Sequence, residues 1–147
     1  MPPRRKHPSA DFRGEATRWL AYARGDLESA TALHEARAPN RNVGYLAQQA
    51  VEKALKAVIL LANAPFELTH DLTAIAVQLP RGFAAPLPVS ALAWLADIET
   101  SARYPDEGDT ITADDAARAL GLGEIVLAAV TAWFKAQGVE STVVDGE

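Results

Sequence analysis

Residues 42–64, NVGYLAQQAVEKALKAVILLANA, carry a long and uninterrupted helical pattern of apolar side chains. The stretch contains no proline, and its single glycine, Gly44, lies near its start. The apolar residues recur at spacings of three and four and share one broad face: Val43, Leu46, Ala47, Ala50, Val51, Ala54, Leu55, Val58 and Leu61. A helix with so wide an apolar face must pack against several others. We therefore predict that it is the central helix of a bundle.

The same stretch carries a ridge of polar residues. Gln49, Glu52, Lys53 and Lys56 are three and four positions apart, so they lie side by side on the helix. One interpretation is a solvated face in which Glu52 and Lys56 form an ordinary surface ion pair. The other is that the ridge is part of a functional site, and this pattern alone leaves both open.

Four further helices are expected around the central one. Apolar spacing and helix-breaking residues place them at about 12–36, 71–79, 89–102 and 113–137. Asp11 is the expected N-cap of the first helix, Thr69 or Asp71 that of the short one, and Thr112 with Asp115 forms a capping box for the last. No segment alternates apolar and polar residues long enough to demand a strand. The predicted fold is all-α, an up-and-down bundle of four long helices plus one short helix.

We expect one folded domain with a short segment outside it at each terminus. Residues 1–10 hold three prolines and a cluster of basic side chains without periodicity, which predicts a disordered basic arm. Residues 11–138 form the helical bundle. Residues 139–147 are expected to be a frayed acidic tail.

Bulk composition excludes several classes of function. A length of 147 residues suits one domain with a real core, and a formal net charge of −5 provides no overall basic field for nucleic acid. The absence of cysteine excludes disulfides and thiolate chemistry. The longest apolar run, residues 57–62, is too short to span a bilayer, and no apolar segment follows the basic N-terminus as in a secretory signal. We expect a cytoplasmic protein that does not enter a membrane.

Sequence motifs for common catalytic sites are missing. The chain contains no GxxxxGK[ST], GxGxxG, HExxH or GxSxG pattern. Its three histidines, His7, His34 and His70, are scattered along the sequence. No metal site, cofactor or nucleophile is therefore predicted.

Polar residues from three separate segments are the candidates for a binding site. Lys53 and Lys56 lie on the central helix, His70 and Asp71 follow that helix, and the end of the fourth helix carries Arg103, Tyr104 and Asp106. If these segments converge, the cations form a pocket for phosphate, and the tyrosine ring is available to stack on a base. The alternatives are that the histidine and aspartate simply cap a helix, and that the arginine pairs with a carboxylate beside a buried tyrosine.

The segments QQAVEKALKAVIL, THDL and ARYPDE, in this order and at this spacing, resemble the HEPN domain (higher eukaryote and prokaryote nucleotide-binding). The resemblance covers residues 12–138, nearly the whole chain. It implies an up-and-down helical bundle that commonly forms homodimers. It also implies a minimal nucleotidyltransferase as partner, because many members are encoded beside one and such pairs often behave as toxin–antitoxin systems.

One feature of the ribonuclease members is absent. Those proteins carry an R-x4-6-H motif whose arginine and histidine meet at a dimer cleft and cut RNA without metal. Counting from Arg103, the histidine would fall at position 108, 109 or 110, where this chain has Gly108, Asp109 and Thr110. No other arginine has a histidine at that spacing, so no catalytic residue is assigned.

The sequence therefore predicts a HEPN-domain module that binds a nucleotide or RNA phosphate beside a nucleotidyltransferase. Its predicted binding residues are Lys53, Lys56, His70, Asp71, Arg103, Tyr104 and Asp106. Two alternatives stay open. One is an atypical metal-independent ribonuclease, and the other is a purely structural helical dimer held together by the polar ridge.

Overall fold

The computed structural model describes residues 5–7, 10–103 and 111–139, apart from the side chains of Lys6 and Arg103. The helices in these residues are α1 (Phe12–Glu35), α2 (Asn40–Leu61), α3 (Leu72–Ala76), α4 (Val89–Arg103) and α5 (Ala113–Ala136). Four are long and one is short. The predicted all-α class is confirmed.

Helix α2 occupies the centre of the bundle. It contacts α1, α3, α4 and α5, and 15 of its 22 residues are buried. Every member of the predicted apolar face except Leu46 is buried. Burial of 15 residues is more than one face can supply, so polar positions of α2 are also enclosed.

Side chains and backbone conformations fix the helix ends. Asp71 caps α3, since its carboxylate accepts a hydrogen bond from the Thr73 backbone N–H at 3.1 Å. Thr112 and Asp115 form the expected capping box at the start of α5, with both reciprocal bonds at 3.0 Å. Between α1 and α2, Arg37 takes a left-handed conformation with φ of 61°, which allows the tight antiparallel turn.

A short pair of strands departs from the sequence-based prediction. β1 (Arg5–Lys6) pairs antiparallel with β2 (Phe66–Glu67), with Arg5 opposite Glu67. The two residues of β1 belong to the segment predicted to be a disordered arm. Two-residue strands are too short to show alternation, so the pattern could not reveal them.

Glycines let helices approach closely at two points. A Cβ on Gly44 of α2 would lie 2.8 Å from Cγ2 of Ile98 on α4, and one on Gly123 of α5 would lie 2.8 Å from Cδ1 of Leu27 on α1. A Cβ on Gly121, in contrast, would meet nothing within 4 Å. The two glycines of α5 therefore differ, because only Gly123 lies at a close approach between helices.

Helix α5 is the one described helix long and apolar enough to cross a membrane, with a mean hydropathy of 1.5 over its most apolar window. A core helix of a soluble protein satisfies the same two criteria. α5 packs against α2 and α1 in the bundle, and 39% of that window is buried there.

A polar contact also joins α1 to α5. Arg24 donates a hydrogen bond from Nη2 to Oγ1 of Thr131 at 2.8 Å. Burial lowers the pKa of Arg24, and the negative charge of Glu28 opposes that change. Arginine stays charged at neutral pH, so the contact is a charge-assisted hydrogen bond.

Gly44→Ala is expected to lower the free energy of unfolding by about 1–3 kcal/mol, because the added methyl group overlaps Ile98. Gly121→Ala is the matched control. It should raise the free energy of unfolding by up to about 1 kcal/mol, since alanine is the better helix former and nothing lies within 4 Å of the added methyl group. Urea denaturation measures both. Equal changes of the same sign would show that α2 and α4 do not approach as described.

Candidate functional site

Glu52 is a buried carboxylate on α2 that accepts several hydrogen bonds. Its Oε2 atom is 2.8 Å from Nζ of Lys56 and 2.8 Å from Nδ1 of His70. Its Oε1 atom is 3.4 Å from the amide nitrogen of Gln48. The Glu52 side chain is 4% exposed and the Lys56 side chain 5%. The expected Glu52–Lys56 pair therefore exists, but it lies in the interior and not on a solvated face.

Helix α1 covers this buried pair. Nζ of Lys56 is 5.7 Å from the centre of the Trp19 ring, within the range of a cation–π contact. The antiparallel turn between α1 and α2 sets these residues opposite each other. The Lys56 ammonium is thus directed at groups of its own chain, and Lys56 is not available to a phosphate as predicted.

Lys53 lies one helical turn before Lys56, at the partly exposed seam between α1 and α2. Its Nζ is 2.7 Å from Oδ2 of Asp26, with about a quarter of the Lys53 side chain exposed. An ammonium group has three donor hydrogens. Lys53 can therefore keep Asp26 and still donate to a bound ligand.

A cavity of about 260 Å³ opens beside Lys53. It is lined by Arg18, Trp19, Tyr22 and Lys53. Nη2 of Arg18 is 3.8 Å from Oδ2 of Asp11, and both side chains are largely exposed. A long, exposed ion pair of this kind restrains Arg18 only weakly. Two cations and two aromatic rings thus surround one open space, and Tyr22 is 69% exposed there.

His70 and Asp71 lie at different parts of this region. The imidazole of His70 reaches Glu52 through Nδ1, while the side chain as a whole is 67% exposed. Because an ionised carboxylate only accepts, Nδ1 must donate, and Nε2 is then the ring nitrogen left for other partners. The carboxylate of Asp71 instead accepts from the backbone and hydroxyl of Thr73, so the structure shows it as a helix cap.

The third segment predicted to contribute to the site, residues 103–106 at the end of α4, lies almost entirely outside the part of the chain that the structure describes. The backbone of Arg103 ends α4, whereas its side chain, together with Tyr104 and Asp106, lies beyond the described residues. The structure therefore brings Lys56 and His70 together on Glu52, whereas Lys53 pairs with Asp26 at the seam with α1. The predicted approach of Arg103 stays a prediction.

Three residues of the cavity, all on α1, were not predicted as site residues. They are Arg18, Trp19 and Tyr22. The sequence offered one indication of this site, because Tyr22 stands four residues before Asp26 and so lies beside it on one face of the helix. Interpreting it required the register of the α1–α2 hairpin, which sets Tyr22 and Asp26 against Lys53.

This arrangement suits binding of an anion that carries a flat ring. Arg18 and Lys53 offer donors for phosphate oxygens, and Trp19 and Tyr22 offer faces or edges for a base. No group of three histidine, aspartate or glutamate side chains positioned for a metal ion occurs among the described residues.

Comparison with known proteins agrees with this fold. The sequence pattern of the HEPN domain matches residues 16–133, and the chain belongs to the HEPN domain family. A crystal structure of the protein TT1696 from Thermus thermophilus is similar, with a TM-score of 0.69 and 28% identity, over 80% of this chain and 96% of that one. The fold is also that of ST0689, an archaeal HEPN homologue, with a TM-score of 0.60 and 23% identity over the same shares. None of the curated proteins matches this chain.

Glu52→Ala is expected to lower the free energy of unfolding by about 3–5 kcal/mol, because it leaves the buried ammonium of Lys56 without its carboxylate. The double variant Glu52→Leu with Lys56→Met should recover most of this loss, since no unpaired charge remains. Asp26→Asn is the control: it weakens a partly exposed pair and should cost at most about 1 kcal/mol. Urea denaturation distinguishes these cases, and comparable losses for Glu52→Ala and Asp26→Asn would contradict the burial of Glu52.

Proposed function

We propose that this chain is a nucleotide- or RNA-phosphate-binding HEPN module whose site is the cavity beside Lys53. The observation that carries the proposal is the lining of that cavity by Arg18, Trp19, Tyr22 and Lys53. Paired cations and aromatic rings are the groups that recognise a phosphate and its base.

The size of the cavity limits what it holds. About 260 Å³ is just below the roughly 300–1,000 Å³ of sites for drug-sized ligands. One nucleotide, with part of it in solvent, fits better than a helix of nucleic acid. The formal net charge of −5 agrees with a local site, because a chain of this charge does not attract polyanions over its whole surface.

The ion pairs around the cavity leave its cations available. Lys53 shares its charge with Asp26 at the edge of the bundle, and the distant partner of Arg18 is solvent-exposed. Exposed pairs contribute about 0–1 kcal/mol, whereas a hydrogen bond to a charged group contributes about 1.5–3 kcal/mol. A phosphate can therefore compete for Arg18.

Lys53→Met and Arg18→Gln should each weaken ATP binding by about tenfold or more, because each removes a charged donor. Tyr22→Ala should weaken ATP while leaving pyrophosphate unchanged, since pyrophosphate has no base to stack. Isothermal titration calorimetry with ATP, pyrophosphate and adenosine measures the three effects. Arg41→Gln, an exposed cation at the start of α2, is the matched control. Equal affinities for the native chain and all variants would contradict the proposal.

A second candidate function, an atypical metal-independent ribonuclease, is favoured by one contact. His70 is bound through Nδ1 to the buried carboxylate of Glu52, and a carboxylate that orients a histidine in this way is a common part of acid–base sites. In this candidate mechanism Nε2 accepts the proton of an RNA 2′-hydroxyl and returns one to the leaving oxygen.

His70→Ala should reduce cleavage of single-stranded RNA in the presence of EDTA by about 10²–10⁴-fold if this candidate is correct. Lys53→Met should act mainly on substrate affinity, which separates binding from proton transfer. Intact RNA after incubation with the purified native chain, with and without divalent metal, would remove the ribonuclease candidate and leave the binding function untouched.

The proposed partners follow from family membership and from the surface of α5. We propose a cytoplasmic homodimer that acts beside a minimal nucleotidyltransferase in a toxin–antitoxin-like pair. An apolar outer face of α5 supports the dimer, since Ile125 is 49% exposed and Ala117, Ala128 and Ala132 are exposed beside it. The polar ridge is a poor alternative as a contact between subunits, because Glu52 and Lys56 are buried within one chain. Sedimentation measures the mass directly, and the neighbouring gene identifies the partner.

A further inference from the structure

Lys56 and His70 bind the same carboxylate oxygen. Nζ of Lys56 and Nδ1 of His70 are each 2.8 Å from Oε2 of Glu52. The other oxygen of this carboxylate, Oε1, is 3.4 Å from the amide nitrogen of Gln48. When the imidazole ring is a cation, two positive charges therefore share one negative charge. Glu52 then neutralises Lys56 less completely than when the ring is uncharged.

His70 can gain a proton without any opening of the core. Its side chain is 67% exposed, whereas the side chains of Glu52 and Lys56 are 4% and 5% exposed. Because Nδ1 already donates to Glu52, an added proton goes to Nε2, and the contact with Glu52 is kept in both charge states. Histidine is the side chain that ordinarily changes its charge between about pH 5 and pH 8. The pH of the solution therefore changes the charge next to a buried ion pair.

The Trp19 ring connects this ion pair to the cavity beside Lys53. Nζ of Lys56 is 5.7 Å from the centre of the ring, and the same residue lines the cavity. An anion in the cavity is thus separated from the Lys56 ammonium by a single side chain. Charges within the bundle are screened less than charges in solvent. A more positive charge around Glu52 therefore favours an anion on the cavity side of Trp19.

Other charged groups lie near His70 on each neighbouring element. Asp71 follows it in sequence and caps α3, and α3 itself carries no charged side chain. Glu67 on β2 is exposed. On α1, Glu15 is one turn before Trp19 and so lies on the same side of that helix. None of these groups is a histidine, so His70 is the member of the set that ordinarily changes charge near neutral pH.

We propose that proton binding at His70 strengthens anion binding in the cavity beside Lys53, which couples nucleotide binding to pH. This inference rests on the proposed function and adds a regulatory group to the same site. The sign follows from the charges: a cationic ring favours the anion, and the bound anion favours the cationic ring to the same extent. Binding is therefore tightest toward about pH 6 and weakens as the pH rises toward about 8.

The test measures binding of cyclic AMP to the full chain by isothermal titration calorimetry at about pH 6 and about pH 8. Cyclic AMP is the first probe because its phosphodiester keeps one charge over this range, whereas a terminal phosphate titrates near about pH 6. We expect about threefold tighter binding at the lower pH. This is less than the fivefold or more that is typical of coupled sites, because His70 is largely exposed. Buffers of different ionisation enthalpy should show net proton uptake on binding.

His70→Gln should remove both the pH dependence and the proton uptake, since glutamine keeps a donor for Glu52 but does not titrate. His34→Gln is the matched control and should change neither. His34 is fifteen residues after Trp19 on α1, roughly 22 Å along the helix. The same comparison is made with ATP, for which the difference between the native chain and His70→Gln removes the contribution of the ligand's own phosphate.

The outcomes separate this inference from the proposed function. Binding with equal affinity at both pH values and without proton uptake would overturn the inference and leave the proposed function in place. A pH dependence that persists in His70→Gln, or one that His34→Gln also removes, would overturn it as well. Absence of binding of both nucleotides at either pH would contradict the inference and the proposed function together. Proton uptake is measured on the native chain, so the test does not depend on the folding of a variant.

Discussion

Burial of α2 on nearly all sides is the constraint on which the rest of the structure depends. A helix that contacts four others cannot direct all its polar residues to solvent. Gln48, Glu52 and Lys56 follow one another at intervals of four on its buried surface. Removing an ion pair from water is favourable only when its remaining donors and acceptors are satisfied. The hydrogen bonds from Gln48 and His70 to Glu52, together with the Trp19 ring over Lys56, meet that requirement.

The same arrangement positions the candidate site. Lys53 is adjacent to Glu52 in sequence, yet it points to the seam with α1, where Asp26 holds it beside Arg18 and Tyr22. The contact of Lys56 with the Trp19 ring joins the buried pair to α1, and Lys53 and Asp26 pair across the same two helices. Sites carried on packed helices keep their geometry better than sites on loops. Helix α2 thus carries both the buried ion pair of the core and, one residue away from Glu52, the lysine of the candidate binding site.

The cavity beside Lys53 combines two cations with two aromatic rings at the surface. Under the proposed function a phosphate binds there because its several charges can be shared between Arg18 and Lys53.

The amino-acid sequence by itself determined the number, type and approximate limits of the helices, because apolar spacing and capping residues act over a few neighbouring positions. It also placed α2 at the centre of the bundle. The sequence could not show that Lys56 is enclosed, that Asp71 serves its own helix, or that Arg18, Trp19 and Tyr22 line a cavity with Lys53. Tertiary structure decided these points, since the register between α1 and α2 and the return of residues 62–71 toward Glu52 depend on contacts between residues far apart in the chain.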